Sequence, residues 1–230
     1  MKAVIPCAGE GVRMRPLTLI KPKQLLEVGG RPILEHIFEN LPDEINEVIL
    51  VVGYLGHKIR EYFGDEFLGR KITYVEQPAK LGTADALWRC REFLGTGKFL
   101  MLYGDDIIDK QSIAKCLKRE FSILVRESEH PERFGVIVTD NNGKITDLIE
   151  KPDKPISNIV STGVKVLDER IFNYPATPHP NGEYYITSSL AQFIKEHDVF
   201  AERAHFWFPI GTPEDLTRAD EYFKALAGKV

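Results

Sequence analysis

At 230 residues, 43% of them hydrophobic and 28% charged, the chain has the make-up of one globular domain with a substantial core, which excludes a fibrous or disordered polymer. Its 30 Lys and Arg against 34 Asp and Glu leave a net charge of -4 without a basic cluster, so a nucleic-acid-binding surface is not expected. Cys7, Cys90 and Cys116 lack the paired spacing of a zinc site or a disulfide scaffold, and the apolar run before Gly9 is too short for a signal peptide or a membrane span; the expectation is a cytoplasmic protein, neither exported nor membrane-embedded.

Along the chain, residues 3–7 form a short apolar run ending in a glycine-containing loop, and residues 47–52 and 99–103 repeat that form, as buried parallel strands do. Residues 32–41 and 83–94 between them carry apolar side chains at three- and four-residue steps, which predicts helices lying on a sheet. Alternating strand and helix implies right-handed β-α-β units, a mostly parallel sheet covered on both faces, and ligands at the carboxyl ends of the strands. After about Phe121 the pattern changes. Residues 135–139 and 144–149 read as a small β-hairpin joined by Asp140, Asn141, Asn142 and Gly143. A helix over 183–196, a strand near 199–204 and an amphipathic helix over 213–226 follow. Residues 1–230 are therefore read as one domain, with no internal repeat and no interdomain linker.

The segment IPCAGEGVRMRPLTLIKPKQLLEVGGRPI, residues 5–33, follows the first strand, where an α/β sheet places its ligand. Gly9 and Gly11 let backbone approach a ligand and point amides at phosphate oxygens, and Arg13, Arg15, Lys21 and Lys23 supply cationic donors suited to a polyphosphate. Two other glycine motifs are excluded: the dinucleotide fingerprint needs glycine where Met14 stands, and an ATPase phosphate loop needs Gly-Lys-Ser/Thr, whereas Gly97 and Lys98 are followed by Phe99.

This segment resembles the signature of the sugar-1-phosphate nucleotidyltransferases, or nucleotide-sugar pyrophosphorylases: G-x-G-x-R-x-x-P-L-T, then P-K. The resemblance implies a Rossmann-like three-layer αβα fold with a mixed sheet, a nucleotide-binding part over about 1–120 and a sugar-binding part over about 121–230. It implies contacts from Ala8, Gly9 and Gly11 to the nucleotide and catalytic roles for Arg13 and Lys23 on the triphosphate, with Arg15 and Lys21 as weaker candidates. EQPAKLGTADAL, residues 76–87, resembles the base-reading segment, in which Gln77 pairs with the base and Gly82 passes close to the nucleoside. FLMLYGDDII, residues 99–108, ends an apolar strand in Gly-Asp-Asp, so Asp105 is the expected Mg²⁺ ligand and Asp106 its less certain neighbour. FGVIVTDNNGKITDLIEKP, residues 134–152, resembles the sugar-site hairpin: Gly135 borders the sugar, Glu150 accepts from its hydroxyls and Lys151 holds the acceptor phosphate. STGVKV, residues 161–166, resembles the strand beside that pocket, which adds Thr162 and Gly163.

Two positions depart from the family pattern. W-x-D-x-G-T becomes Trp207, Phe208, Pro209, Ile210, Gly211, Thr212, and E-x-x-x-T-D ends in Thr187 and Ser188, so two expected acids are missing. Three outcomes stay open: Mg²⁺ held by Asp105, substrate phosphates and water; substitution by another acid such as Asp106; or loss of catalysis. The resemblance implies transfer of a nucleotidyl group from a nucleoside triphosphate to a sugar 1-phosphate with release of pyrophosphate. The I-P-x-A-G opening resembles bacterial UTP:glucose-1-phosphate uridylyltransferases, which points to UTP (or dTTP) with glucose 1-phosphate. A non-catalytic nucleotide-sugar-binding regulatory subunit and a cytidylyltransferase acting on a non-sugar phosphate are the alternatives. The expected partners are these small molecules, with no nucleic acid and no membrane; self-association into a homo-oligomer stays open. The chain ends soon after its last predicted helix, so the β-helix of bifunctional relatives is not expected.

Overall fold

A computed structural model describes residues 1–228. In the first half, strands and helices alternate: β1 (Lys2–Pro6), the short strands β2 (Glu27–Val28) and β3 (Arg31–Pro32), α1 (Ile33–Asn40), β4 (Glu47–Val52), α2 (Gly56–Phe63), β5 (Glu66–Phe67), β6 (Arg70–Glu76), α3 (Thr83–Arg89), α4 (Arg91–Leu94) and β7 (Phe99–Met101). The second half adds β8 (Asp106–Ile108), α5 (Lys110–Leu117), β9 (Ser122–Glu127), β10 (Gly135–Thr139), β11 (Ile145–Glu150), β12 (Ile159–Leu167), α6 (Ile186–Phe193), β13 (Phe200–Arg203), β14 (Trp207–Pro209) and α7 (Pro213–Ala227).

The main sheet runs β11-β10-β12-β7-β1-β4-β6-β5, with β9 paired to β12 and β13 to β9. Strands β7, β1, β4 and β6 are parallel, with Lys2 opposite both Glu47 and Phe99 and Glu47 opposite Lys71. Their apolar runs are buried on both faces: Ala3, Ile5, Val48 and Leu50 join one core cluster with Ile33, Ile37 and Phe38 of α1, while Val4, Ile49 and Val51 join the other with Leu87 of α3 and Leu190 and Phe193 of α6. Helices on both faces are the solution such strands require, and the result is the expected αβα layering. β12 pairs antiparallel with β7, β9 and β10, and antiparallel pairs also close the two edges, β10–β11 at one and β5–β6 at the other.

The predicted hairpin forms as β10 and β11, with Gly135 opposite Glu150, and its turn is held by Asp140 Oδ1, which accepts from the Asn142 and Lys144 amides at 2.8 and 2.9 Å. It is part of the main sheet: Val136 pairs with Val160 of β12, and Ile137 and Leu148 enter the core cluster of α6. The helix expected over 83–94 breaks at Cys90, and the helix expected from Glu183 begins at Ile186, because Tyr184 is drawn into backbone hydrogen bonds with Leu81 and Ala84. In β12 the ladder to β9 slips between Ser161, opposite Val125, and Lys165, opposite Ile123. Gly163 sits in that bulge at φ +90°, a conformation open to glycine. The three cysteines are free and buried, and burial pushes the Cys90 and Cys116 thiols up to about 12. Among the described residues no helix is long and apolar enough to cross a membrane.

Candidate active site

A cleft of about 670 Å³ opens where the loops after β1, β6 and β7 meet β10, β11 and α6. Ala8, Gly9, Gly11, Arg13, Lys23, Gln77, Gly82, Asp105, Gly135, Glu150 and Lys151 all line it, so residues up to 143 positions apart in the chain, from Ala8 to Lys151, share one space. Arg15 and Lys21 do not: Arg15 pairs with Glu10 at 3.0 Å and Lys21 with Glu27 at 2.7 Å, outside the lining.

The basic loop is built by its own small residues. Gly11 lies at φ +60°, its carbonyl accepts from the buried Thr18 hydroxyl at 2.8 Å, and a Cβ there would come within 2.9 Å of Thr18 Cγ2. Gly9 has nothing within 4 Å of a built Cβ and presents open backbone to the cleft. Buried Lys23 reaches across to pair with Asp105, whose turn is seated on the end of β1, since a Cβ on Gly104 would lie 2.8 Å from Cys7 Sγ and 3.0 Å from the Pro6 carbonyl. Among the described residues the exposed Arg13 guanidinium makes no ion pair.

At the other end of that loop system, Gln77 is buried with Nε2 donating to Gly82 O at 3.0 Å and to Asp85 Oδ2 at 2.8 Å, which leaves Oε1 as its free acceptor. Gly82 lines the cleft and also closes a tight backbone contact. It stands at φ +90°, and a Cβ would meet the Tyr184 carbonyl at 2.5 Å, so close backbone packing demands the glycine.

On the hairpin side, Glu150 accepts from the Thr187 hydroxyl of α6 and has Lys151 Nζ at 3.4 Å. Lys151 adopts φ +40° and holds its ammonium 4.5 Å from the centre of the Tyr185 ring. Glu183 pairs with Lys80 at 2.9 Å on the same rim.

Thr162 is not in the cleft: it is fully buried and donates to Leu124 O at 3.0 Å behind the sheet. Gly163 also lies outside the lining, where it makes room for its neighbours; a Cβ would fall 2.8 Å from the Tyr103 ring and 2.9 Å from Asp106 Oδ2. Ser161 and Lys165, on the opposite face of β12 from Thr162, line the cleft instead. Lys165 is 2% exposed, and burial holds its ammonium down to about 8 against the opposing pull of Glu150 and Asp106. A lysine between Val164 and Val166 in an apolar strand was the signal available for it. Gln24, Tyr103, Arg133, Glu183 and Thr187 also line the cleft without having been assigned roles; their chemistry depends on neighbours distant in sequence.

The two missing acids have different consequences. Ser188 faces away from the cleft and accepts from the Thr177 amide at 3.0 Å, so an acid lost there removes nothing from the lining. Pro209 lines the cleft and lies opposite Asp106 in the β14–β8 pair. Burial and the adjacent Asp105 carboxylate push Asp106 well above the usual carboxylate range, whereas Asp105 is the carboxylate that pairs with Lys23. No group of three or more His, Cys, Asp or Glu converges among the described residues. Asp105 already draws a cation in Lys23, and one such carboxylate completed by substrate phosphates and water is a donor set that fits Mg²⁺.

Comparison with known proteins gives a coherent picture. The model of the nucleotidyl transferase family matches residues 2–225. The bifunctional protein GlmU of Methanocaldococcus jannaschii is 35% identical over 225 residues, 96% of this chain and 54% of that protein, so the chain spans about half the length of this relative. UTP–glucose-1-phosphate uridylyltransferase AglF of Haloferax volcanii is 36% identical over 234 residues, 96% of each chain. A Bacillus anthracis structure described as a glucose-1-phosphate thymidylyltransferase with bound sucrose superimposes with a TM-score of 0.87 at 28% identity, covering 97% of this chain and 95% of that one.

Proposed function

The chain belongs to the nucleotidyl transferase family, and on that premise we propose that it joins a nucleoside triphosphate to a sugar 1-phosphate, with UTP (or dTTP) and glucose 1-phosphate as the pair, releasing pyrophosphate. The observation that carries this reading is the meeting, across one cleft, of the Arg13–Lys23 loop with Glu150 and Lys151. Two mutually repelling anions need such an arrangement, because each requires its own cations and the reaction needs them in line.

The acceptor phosphate is already an anion, so no protein nucleophile is required; one of its oxygens attacks the α-phosphorus. Arg13 and Lys23 hold the triphosphate and stabilise charge that gathers on the bridging and leaving oxygens. Lys151 holds the acceptor phosphate, and Glu150, oriented by Thr187, accepts from sugar hydroxyls. Lys23 must leave Asp105 to reach a phosphate, and Asp105 is then free to hold Mg²⁺ together with phosphate oxygens. The ion would supply charge neutralisation on the triphosphate. Gln77 Oε1 is an acceptor fixed in place by the two bonds of Nε2, and it suits the ring N–H of uracil or thymine. The uridylyltransferase relative, aligned over nearly its whole length, supports UTP and glucose 1-phosphate over other pairs. Residues 1–120 and 121–230 act as nucleotide and sugar halves of one unit, working in the cytoplasm on small molecules.

Incubating the chain with Mg²⁺, each of the five common nucleoside triphosphates and a panel of sugar and amino-alcohol phosphates, with pyrophosphate as the readout, tests this. UTP with glucose 1-phosphate should give the highest kcat/KM. Activity confined to an amino-alcohol phosphate, or ligand binding without turnover, would refute the assignment.

A further inference from the structure

Resting on that reading, we propose that Lys165 is a specificity-determining residue for the acceptor sugar, donating from the floor of the cleft to a ring hydroxyl that Glu150 accepts from. The ammonium is 2% exposed within an apolar strand, where a charge is costly unless partnered. Its protein contacts fall short of that. Glu150 and Asp106 act on it from beyond ion-pair distance, its hydrogen bond to Ser161 Oγ is long at 3.4 Å, and the face of Tyr103 lies at 4.5 Å. An ammonium carries three donors, so two are left to be met from the cleft that Lys165 lines.

The position selects the ligand. Lys165 and Ser161 on β12 line the same cleft as Glu150 on β11, with β10 between the two strands, and Glu150 is pinned by Thr187. An acceptor and a donor converging on one space match a hydroxyl, which gives one hydrogen bond and takes another; a carboxylate there would be repelled by Glu150, and a methyl ether would leave Glu150 unmet. Two-residue alternation along β12 brings this about: Ser161, Gly163 and Lys165 share one face, and Gly163, with no side chain, leaves room there for Tyr103 and Asp106.

The test uses the full chain and its Lys165→Met variant, which keeps length and removes the charge. With UTP saturating, KM is measured for glucose 1-phosphate and for its 2-, 3-, 4- and 6-deoxy analogues, and KM for UTP is measured separately. Loss of a charged hydrogen bond should raise KM for the parent sugar roughly 10- to 100-fold and leave KM for UTP unchanged. The deoxy analogue that the wild type uses poorly should be handled by the variant as well as the parent sugar. Calorimetry should show weakened binding of UDP-glucose and unaltered binding of UDP. An unchanged sugar KM in a folded variant, or an equal rise in KM for UTP, overturns the inference alone. A wild type silent with every sugar 1-phosphate overturns the functional reading and this inference together.

Discussion

Arg13 and Lys23 are ten positions apart in sequence and line the same cleft from different surroundings, one exposed and without an ion pair among the described residues, the other buried against Asp105. Removing one preorganised charge contact commonly costs roughly 3–4 kcal/mol at the barrier, so Arg13→Ala and Lys23→Ala should each slow turnover on the order of a hundredfold or more. Pyrophosphate release at saturating substrates measures it, and wild-type turnover in either variant would remove that residue from the mechanism. Thr187 donates to Glu150, and on the proposed function it positions that carboxylate. Thr187→Val keeps the shape and frees the carboxylate, so KM for the sugar 1-phosphate should rise about tenfold while KM for the triphosphate holds; a rise in both would mean that α6 had shifted. That Arg13, Lys23, Glu150 and Lys151 would line one cleft was legible because each pair lies in a contiguous string that resembles the family's motifs. Lys165 and Thr187 were not, because each acquires meaning from side chains far away in the chain.

At the level of elements, glycine marks where two segments come closest. Gly82 stands at φ +90° against the Tyr184 backbone and Gly163 at φ +90° against Tyr103 and Asp106. Gly82→Ala or Gly163→Ala adds both a left-handed penalty and an overlap with neighbours, and each should cost about 2–4 kcal/mol of stability by urea denaturation. Gly9→Ala, which meets no atom within 4 Å, should leave stability nearly unchanged, so equal losses at all three sites would contradict this account. The strand-helix alternation was readable in outline since buried β-branched runs and three- to four-residue steps are local. Thr162 lies outside the pocket because two-residue alternation sets it on the face of Val164 and Val166, opposite the one that carries Ser161 and Lys165.

For the molecule as a whole, the cleft carries a cost in stability that the fold must offset elsewhere. Lys165 has Glu150, Asp106 and Tyr103 facing it, and its ammonium titrates at about 8 in the folded chain against an ordinary value of 10.5. Below pH 8 both folded and unfolded chains hold the proton, and the full penalty of a buried charge is present. Between pH 8 and 10.5 the unfolded chain binds more protons, so stability rises with pH across that window. Lys165→Met should therefore raise the melting temperature at pH 7, and its advantage should shrink as the pH climbs from 8 towards 10.5. An advantage that grows over that range would show that the amine is held charged by partners in the folded state. Local patterning was enough to indicate the layered α/β class, the glycine- and cation-bearing loop at the cleft and the family, since apolar periodicity and a run of glycines and cations express their physics over a few residues. The closing of the hairpin edge into the sheet, the retreat of Ser188 from the cleft while Pro209 lines it, and the partners left to Lys165 arose only on folding, because burial and hydrogen-bond satisfaction are properties of neighbours that the chain brings together from a distance.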